Sequence, residues 1–277
     1  MPELPEVETI VQDLLISHIL NKPIKNITIN FDKIIGNTTP KLFTKALIGQ
    51  SIQDIYRRGK YIVFVFNHDF WVTVHLRMTG RFVIAKKEAP FSKHHHVIIE
   101  FRDGTFIIYH DTRKFGRWNL VTNLDSFFAK TGPEPLSQLT LKQFENLIAK
   151  TKRMLKPLLL DQSFIAGLGN IYVDEALWDA KLHPKRLSST LSKKDIEHLY
   201  LAIQLVLKRG IEAQGTTLGT GKTNYYRVDG SRGKHQNVMQ VFRKTGKPCP
   251  RCGTTIERII VAQRSTHICP QCQKKQL

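Results

Sequence analysis

Two C-x2-C motifs determine the fold of the last 29 residues: Cys249-Pro250-Arg251-Cys252 and Cys269-Pro270-Gln271-Cys272. They are separated by 16 residues and contain all four cysteines of the chain. This spacing is typical of a zinc ribbon, in which the intervening segment folds as a β-hairpin. Four sulfur ligands leave no open coordination position, so we predict one structural Zn²⁺ ion, held by Cys249, Cys252, Cys269 and Cys272.

The segment between the two motifs is basic and contains Arg264 near the expected tip of the hairpin. An arginine on a hairpin held by zinc is a candidate phosphate ligand, although a solvated arginine is the simpler reading of this position alone. His267 is a possible substitute ligand, but four cysteines make it unnecessary.

The overall charge indicates an anionic partner. The chain has 42 Lys and Arg against 23 Asp and Glu, a formal charge of +19 and a pI near 9.9. Nucleic acid is the most common partner of such a protein. A ribosomal partner, an anionic membrane surface or a role in solubility alone are the alternatives.

Targeting signals are not recognisable in the sequence. No apolar run approaches the ~18 residues of a membrane span. Acidic residues Glu3, Glu6 and Glu8 occupy the place where a signal peptide carries positive charge. Cysteines confined to a metal site fit a reducing compartment. We therefore expect a cytoplasmic protein with no membrane partner, in contact with the bacterial chromosome through DNA.

Hydrophobic periodicity predicts a helix over 4–19 and then a β-rich region over about 24–121. The turn residues Asn67-His68-Asp69 and Arg102-Asp103-Gly104 indicate antiparallel hairpins. The expected product is an antiparallel β-sandwich. The candidate strands are 24–31, 61–66, 70–76, 81–85, 96–101 and 105–110.

The second half of the chain has helical periodicity. A linker is expected at 130–139, followed by a helix capped by Thr140 with Gln143 completing a capping box. Ser192 is expected to cap another helix that ends at Gly210. Residues 215–237 contain five glycines and are expected to form a long mobile loop. The fold class is thus α+β and multidomain, because 277 residues exceed one small domain.

The N-terminus has unusual chemistry. Removal of Met1 would expose the secondary amine of Pro2, and an α-amino group has a pKa of about 8. Such an amine attacks an aldehyde-level carbon to give a cationic iminium, which withdraws electrons as a lysine Schiff base does. Glu3 is adjacent and is a candidate for proton transfer. The alternative is an ordinary helix start, since Pro and Glu are common there.

Three segments together resemble one family. Residues 2–8, the segment 160–177 and the segment 263–273 are similar to bacterial formamidopyrimidine-DNA glycosylase, and the resemblance covers essentially the whole chain. It implies a β-sandwich catalytic domain over 1–132, a helix–two-turn–helix domain with the lesion-recognition loop over 133–237, and a zinc finger over 238–277.

The resemblance implies a bifunctional DNA glycosylase and AP lyase of base excision repair. Such an enzyme removes 8-oxoguanine and formamidopyrimidines from damaged double-stranded DNA and then cuts the strand by β,δ-elimination. By resemblance, Pro2 attacks C1′ of the flipped nucleotide, Glu3 assists opening of the sugar, and Glu6 is a second acidic residue near the site. Lys60 and Arg264 belong to the same catalytic group as phosphate ligands.

Further residues are assigned by the same resemblance. His75 and Asn170 match phosphate-binding positions, while Met78, Arg113 and Phe115 match the residues that fill the gap left by the flipped base. Ordinary core packing is the alternative for Met78 and Phe115. The lid over the extruded base is expected within 215–226, with Thr217, Leu218, Gly219, Tyr225 and Tyr226 as its named residues.

One departure and two alternatives remain open. Val241-Phe242-Arg243 stands where many family members have Val-Tyr-Gly, so a tyrosine contact with phosphate is in doubt and Arg243 is a possible replacement. The role of Glu175 is open. An endonuclease VIII-like enzyme for oxidised pyrimidines, or a non-catalytic zinc protein that binds DNA or the ribosome, are the competing functions. The expected state is a monomer.

Overall fold

The computed structural model describes residues 1–66, 70–86, 92–221 and 224–275. It divides into two compact units. Unit 1 contains Met1–Ala129 and Ala213–Gln236, and unit 2 contains Lys130–Glu212 and Asn237–Leu277. The division into three domains, 1–132, 133–237 and 238–277, is a division by role and stays a prediction. No helix in the described part of the chain combines the length and apolar character that a bilayer span requires.

Unit 1 begins with one helix, followed by strands and two short helices. Its elements are α1 (Leu4–Ile16), β1 (Ile24–Ile29), α2 (Pro40–Leu47), β2 (Asp54–Arg58), β3 (Tyr61–Val65), β4 (Trp71–His75), β5 (Gly80–Ala85), β6 (His95–Phe101), β7 (Phe106–Asp111), β8 (Arg117–Val121) and α3 (Leu124–Phe128). The strands form two antiparallel four-stranded sheets, ordered β1-β6-β7-β5 and β2-β3-β4-β8.

The predicted β-sandwich is confirmed. Aromatic side chains from both sheets meet in its core, where the Phe64 and Trp118 rings stack with centroids 6.1 Å apart. Phe82 and Tyr109 from the other sheet contact Trp118 at 5.7 Å and 5.4 Å. α1 buries Val7, Ile10, Val11 and Leu14 in the same core, so the N-terminus is fixed to the sandwich.

The sequence pattern missed β2 and β8, which are the two edges of one sheet. β2 buries only Ile55, because edge strands carry polar residues that discourage further pairing. The segment Pro40–Leu47 is helical instead of extended, since Thr39 caps it and Pro40 occupies its first turn. The Arg102-Asp103-Gly104 turn joins β6 and β7 as predicted, whereas Asn67-His68-Asp69 lies outside the described residues.

Unit 2 consists of helices and one hairpin. Its elements are α4 (Leu141–Ala149), α5 (Leu155–Leu160), α6 (Asn170–Asp179), α7 (Lys193–Glu212), β9 (Glu257–Val261) and β10 (Arg264–Ile268). The capping box of Thr140 and Gln143 is confirmed. Ser192 accepts a hydrogen bond from the Asp195 amide at 3.1 Å, as a cap does. Gly210 lies inside α7 and does not end it, so that prediction was wrong.

Candidate functional site

The N-terminal residues are held at the start of α1. Pro2 and Glu3 are buried, whereas Met1 is 51% exposed. The Glu3 amide donates to Glu6 Oε2 at 2.8 Å, and the two residues form a capping box. Glu3, the residue next to Pro2, is therefore held at the start of α1 through both its backbone amide and its side chain.

Glu6 also binds the segment that follows α7. Its second carboxylate oxygen, Oε1, accepts from the Thr216 amide at 2.8 Å. The two ends of this segment are joined by two backbone hydrogen bonds, from the Lys234 amide to the Ala213 carbonyl at 2.8 Å and from the His235 amide to the Gly215 carbonyl at 3.0 Å. We call residues 213–236 the base loop. One buried carboxylate thus connects the N-terminus to the base loop.

Thr217 organises the interior of the base loop. Its side chain is fully buried; the hydroxyl donates to the Tyr225 carbonyl at 2.9 Å and accepts from the Gly233 amide at 2.9 Å. Gly219 has a φ of 87°, in the left-handed region that glycine adopts without strain. Leu218 and Tyr226 are half-buried. Hydrogen bonds of Thr217 therefore connect the predicted lid to the rest of the base loop. Residues 222 and 223 lie outside the described residues.

Lys60 and His75 lie near each other in unit 1, since Tyr61 on β3 pairs with His75 on β4. Both side chains are buried, with 6% and 8% exposed. The Arg77 amide donates to His75 Nδ1 at 3.0 Å, so the ring proton of the neutral imidazole is on Nε2. Burial, followed by the charges of Arg77 and Lys60, lowers the pKa of His75 to about 3. His75 is therefore a neutral hydrogen-bond donor near pH 7.

Met78, Arg113 and Phe115 come together on two loops. Arg113 Nη1 lies 2.8 Å from Met78 Sδ, and the guanidinium carbon lies 4.7 Å from the centre of the Phe115 ring. Met78 is 42% exposed and Phe115 is 47% exposed. The core reading of these two residues is therefore wrong, because they project from the sandwich. We call residues 76–80 and 111–116 the wedge loops.

Asp111, which sequence reasoning missed, holds the wedge loops together. It is fully buried, accepts from the Thr79 hydroxyl, and accepts from the amides of Arg113 and Gly116 at 3.1 Å and 2.8 Å. A Cβ added at Gly80 or Gly116 would overlap with the hydroxyl of Tyr109. The signal in the sequence is an acidic residue at the end of a strand, with Gly116 five residues later.

Asn170 and Arg264 occur in unit 2. Asn170 is the first residue of α6, and its Nδ2 donates to the Ser265 carbonyl at 3.0 Å. Its buried Oδ1 has no hydrogen-bond partner among the described residues. Arg264 is exposed and follows a turn in which Ala262 and Gln263 have φ values of 47° and 60°. The start of α6 is thus tied to the hairpin that carries Arg264.

Glu175 has a structural role. Its carboxylate accepts from the backbone amides of Gln240, Val241 and Phe242 at 2.8, 2.9 and 2.8 Å. Burial raises the pKa of Glu175, and these three hydrogen bonds act in the opposite direction. Arg243 follows with a φ of 58°, which explains why glycine suits this position.

The four cysteines form a compact metal site. Their sulfur atoms all lie within 4.8 Å of one another, and this is the only such group that the described residues contain. Trp178 Nε1 donates to Cys249 Sγ at 3.4 Å. His267 contacts Asp174 at 3.1 Å and is not part of the group. Four thiolates at this spacing fit a structural zinc ion. We call residues 249–272 the zinc hairpin.

Comparison with known proteins finds relatives that cover 99% of this chain. Three family models align: the formamidopyrimidine-DNA glycosylase N-terminal domain with residues 1–118, the formamidopyrimidine-DNA glycosylase H2TH domain with 131–222, and a zinc finger found in FPG and IleRS with 246–275. A formamidopyrimidine-DNA glycosylase of Protochlamydia amoebophila is 54% identical over 276 residues, covering 99% of this chain and 100% of the relative.

Solved structures agree with the sequence comparison. Lactococcus lactis Fpg bound to DNA containing an abasic site is 41% identical with a TM-score of 0.91. The same enzyme bound to DNA containing Fapy-dG is 40% identical with a TM-score of 0.90. Each alignment covers 99% of this chain and 100% of the other.

Proposed function

The chain belongs to the formamidopyrimidine-DNA glycosylase family, and on this basis we propose how its residues act on damaged DNA. It is a base excision repair glycosylase for oxidised purines, and AP lyase activity is typical of its family. The zinc finger at its C-terminus has four clustered cysteines that bind one structural zinc ion. We assign it to the bacterial cytoplasm, where its substrate is chromosomal DNA.

Pro2 is the nucleophile in this proposal. Once Met1 is removed, the secondary amine forms a bond to C1′ of the extruded nucleotide, and the bond from C1′ to the damaged base breaks. The base leaves with its electron pair and takes up a proton. The observation that carries this assignment is the burial of Pro2 beside two carboxylates at the start of α1.

Glu3 and Glu6 have different roles: Glu3 transfers a proton, and Glu6 positions its neighbours. Glu3 gives a proton to O4′ as the C1′–O4′ bond opens, which leaves an iminium between Pro2 and the sugar. Loss of a C2′ proton then expels the 3′ phosphate, and a second elimination expels the 5′ phosphate. Water releases Pro2 from the sugar product. Glu6 holds the Glu3 amide and the base loop in place while this happens.

Phosphate contacts position the duplex. Lys60 supplies positive charge, and neutral His75 donates from Nε2. In unit 2, exposed Arg264 supplies a second cation on the zinc hairpin, and Asn170 ties the start of α6 to that hairpin. These contacts carry no base specificity, so they serve every lesion equally.

The wedge loops and the base loop supply selectivity. Met78 and Phe115 fill the space of the extruded base, and Arg113 between them donates to the orphaned partner base. The base loop, through Thr217, Leu218, Gly219, Tyr225 and Tyr226, closes over the damaged base. Its frame of backbone hydrogen bonds suits recognition through amides.

Strand cleavage on defined duplexes tests the function. The unaltered protein is expected to cut an 8-oxoguanine:C duplex much faster than a thymine-glycol duplex. Pro2→Gly is expected to lose cutting while it retains duplex binding. Faster cutting of thymine glycol would assign the chain to oxidised pyrimidines instead. Equal loss of binding and cutting in Pro2→Gly would make Pro2 a structural residue.

A further inference from the structure

α1 binds the base loop at a second point, seven residues beyond Glu6. The Asp13 side chain is 7% exposed and accepts from Arg227, with Nη2 at 2.6 Å and Nε at 3.2 Å. The Val228 amide donates to the same carboxylate at 3.1 Å. Arg227 Nη1 reaches the other side of the loop, where it donates to Gln214 Oε1 at 3.1 Å. One ion pair therefore joins both stems of the base loop to the helix.

The two attachment points lie on one face of α1. Positions 6 and 13 are two helical turns apart, so Glu6 and Asp13 point in nearly the same direction. Tyr225 fills the space near Glu6, since a Cβ added at Gly215 would lie 2.9 Å from its ring and 3.0 Å from Glu6 Cγ. Its hydroxyl donates to the Gln214 carbonyl at 3.2 Å. The helix that begins after Pro2 is thus also the platform of the base loop.

We propose that Asp13 and Arg227 are positioning residues that hold the base loop in the conformation required for base excision. The inference rests on the proposed function, because it gives the base loop the task of reading the extruded base. An abasic site has no base to be read, so its cleavage needs Pro2 and the phosphate contacts but not an ordered base loop. The ion pair should therefore matter for the first chemical step and not for strand cutting at an existing abasic site.

The energetics favour a measurable effect. Hydrogen bonds to charged groups contribute more to stability than hydrogen bonds between neutral groups do. Removing Arg227 also leaves Asp13 as a buried carboxylate that keeps the Val228 amide as a donor but loses its cation. Both consequences act on the stems of the base loop, while the Glu6 attachment and the wedge loops keep their own hydrogen bonds.

Single-turnover kinetics on two substrates test the proposal. Arg227→Gln and Asp13→Asn are compared with the unaltered protein on an 8-oxoguanine:C duplex and on an abasic-site:C duplex. Each variant is expected to excise 8-oxoguanine about tenfold more slowly, which corresponds to about 1.4 kcal/mol of activation free energy. Cleavage of the abasic duplex is expected to change less than about twofold. The double variant is expected to be no slower than either single variant, because both remove one interaction.

Arg186→Gln is the matched control. Arg186 pairs with Asp195 at 2.8 Å, and its side chain is 9% exposed against 18% for Arg227. It belongs to unit 2, whereas the base loop belongs to unit 1. It should leave the ratio of the two rates unchanged. Arg227→Lys keeps the charge and loses the second donor, so it should give an intermediate ratio. This milder variant also provides a folded protein if Arg227→Gln does not fold.

Two outcomes would overturn the inference alone. An equal fall on both substrates would mean that the ion pair supports unit 1 in general. Unchanged excision of 8-oxoguanine in Arg227→Gln, with the same melting temperature, would mean that the base loop does not depend on the pair. An unaltered protein that cuts neither duplex would contradict the proposed function itself, which is a separate result.

Discussion

The wedge loops and the zinc hairpin present exposed side chains in similar ways but are stabilised by different means. In the wedge loops, Asp111 accepts hydrogen bonds from both segments, and Gly116 packs against the Tyr109 hydroxyl. In the zinc hairpin, two strands of five residues each depend on four sulfur atoms within 4.8 Å of one another. The first is an extension of a large core, whereas the second has a core of only a few side chains.

The two regions should therefore respond differently to a destabilising change. A defect in the wedge loops should cost a limited amount of free energy, because the sandwich beneath them remains. Loss of the metal should abolish the zinc hairpin as a unit, because a hairpin of that size does not fold alone.

Removal of zinc should unfold the zinc hairpin and leave unit 1 intact. Cys269→Ser removes a fully buried ligand, and structural zinc contributes about 10 kcal/mol or more to such modules. The variant is expected to lose its zinc, to be cleaved by protease between residues 249 and 272, and to bind duplex DNA weakly. Arg264→Ala is the control, since it should weaken DNA binding with zinc content unchanged. A protease-resistant hairpin without metal would show that the contrast is wrong.

Gly116→Ala should destabilise the wedge loops through overlap with Tyr109. The expected loss of unfolding free energy is about 2–3 kcal/mol, as for other overpacked sites. Tyr109→Phe should recover part of this loss, because it removes the hydroxyl that the new methyl group meets. Tyr109→Phe alone should be nearly neutral, since that hydroxyl has no partner among the described residues. Urea unfolding measures all three variants, and additive losses in the double variant would exclude the overlap as the cause.

His75, next to the wedge loops, should make stability depend on pH. Its pKa is about 3 in the folded protein and about 6.5 when unfolded, so the unfolded chain binds a proton more readily below pH 6.5. The contribution of neutral His75 to the free energy of unfolding is therefore complete above about pH 6.5, and it is lost as the pH drops towards 3. Between pH 7.5 and 5.5 the unaltered protein should lose about 1.4 kcal/mol more than His75→Asn. Parallel pH profiles of the two proteins in urea would contradict the pKa shift.

Arg243→Gly should stabilise the segment beside the zinc hairpin slightly. The left-handed backbone costs about 1–2 kcal/mol for a residue with a side chain, and glycine loses about half of that gain to the greater entropy of its unfolded state. The expected net gain is about 0.5 kcal/mol in urea unfolding. A loss of stability would mean that the arginine side chain makes a compensating contact.

Short-range sequence patterns predicted several local features of the structure correctly. The spacing of the cysteines identified the metal site, and the Thr140 capping box identified the start of α4. The content of β-branched and aromatic residues predicted β6 and β7, whereas β2 and β8 were missed, because these edge strands bury few side chains. In these cases the signal lies within a few residues of the feature it predicts.

Long-range features could not be predicted in this way. The pairing of Asp13 with Arg227 joins residues 214 positions apart, and no local pattern marks either of them. Asp111 accepts from the Thr79 hydroxyl on one loop and from the Arg113 and Gly116 amides on the other, and these loops become neighbours only after the sheets form. The roles of Pro2, Lys60 and the wedge residues came from the family resemblance, since each residue type alone has an ordinary structural explanation.

Mapping of the covalent intermediate tests the central claim most directly. Borohydride added during reaction with an 8-oxoguanine:C duplex should reduce the iminium and join protein to DNA permanently. Mass spectrometry of the digested adduct is expected to find the sugar remnant on the amine of Pro2, in protein that lacks Met1. A remnant attached to a lysine, or an active protein that retains Met1, would contradict the account.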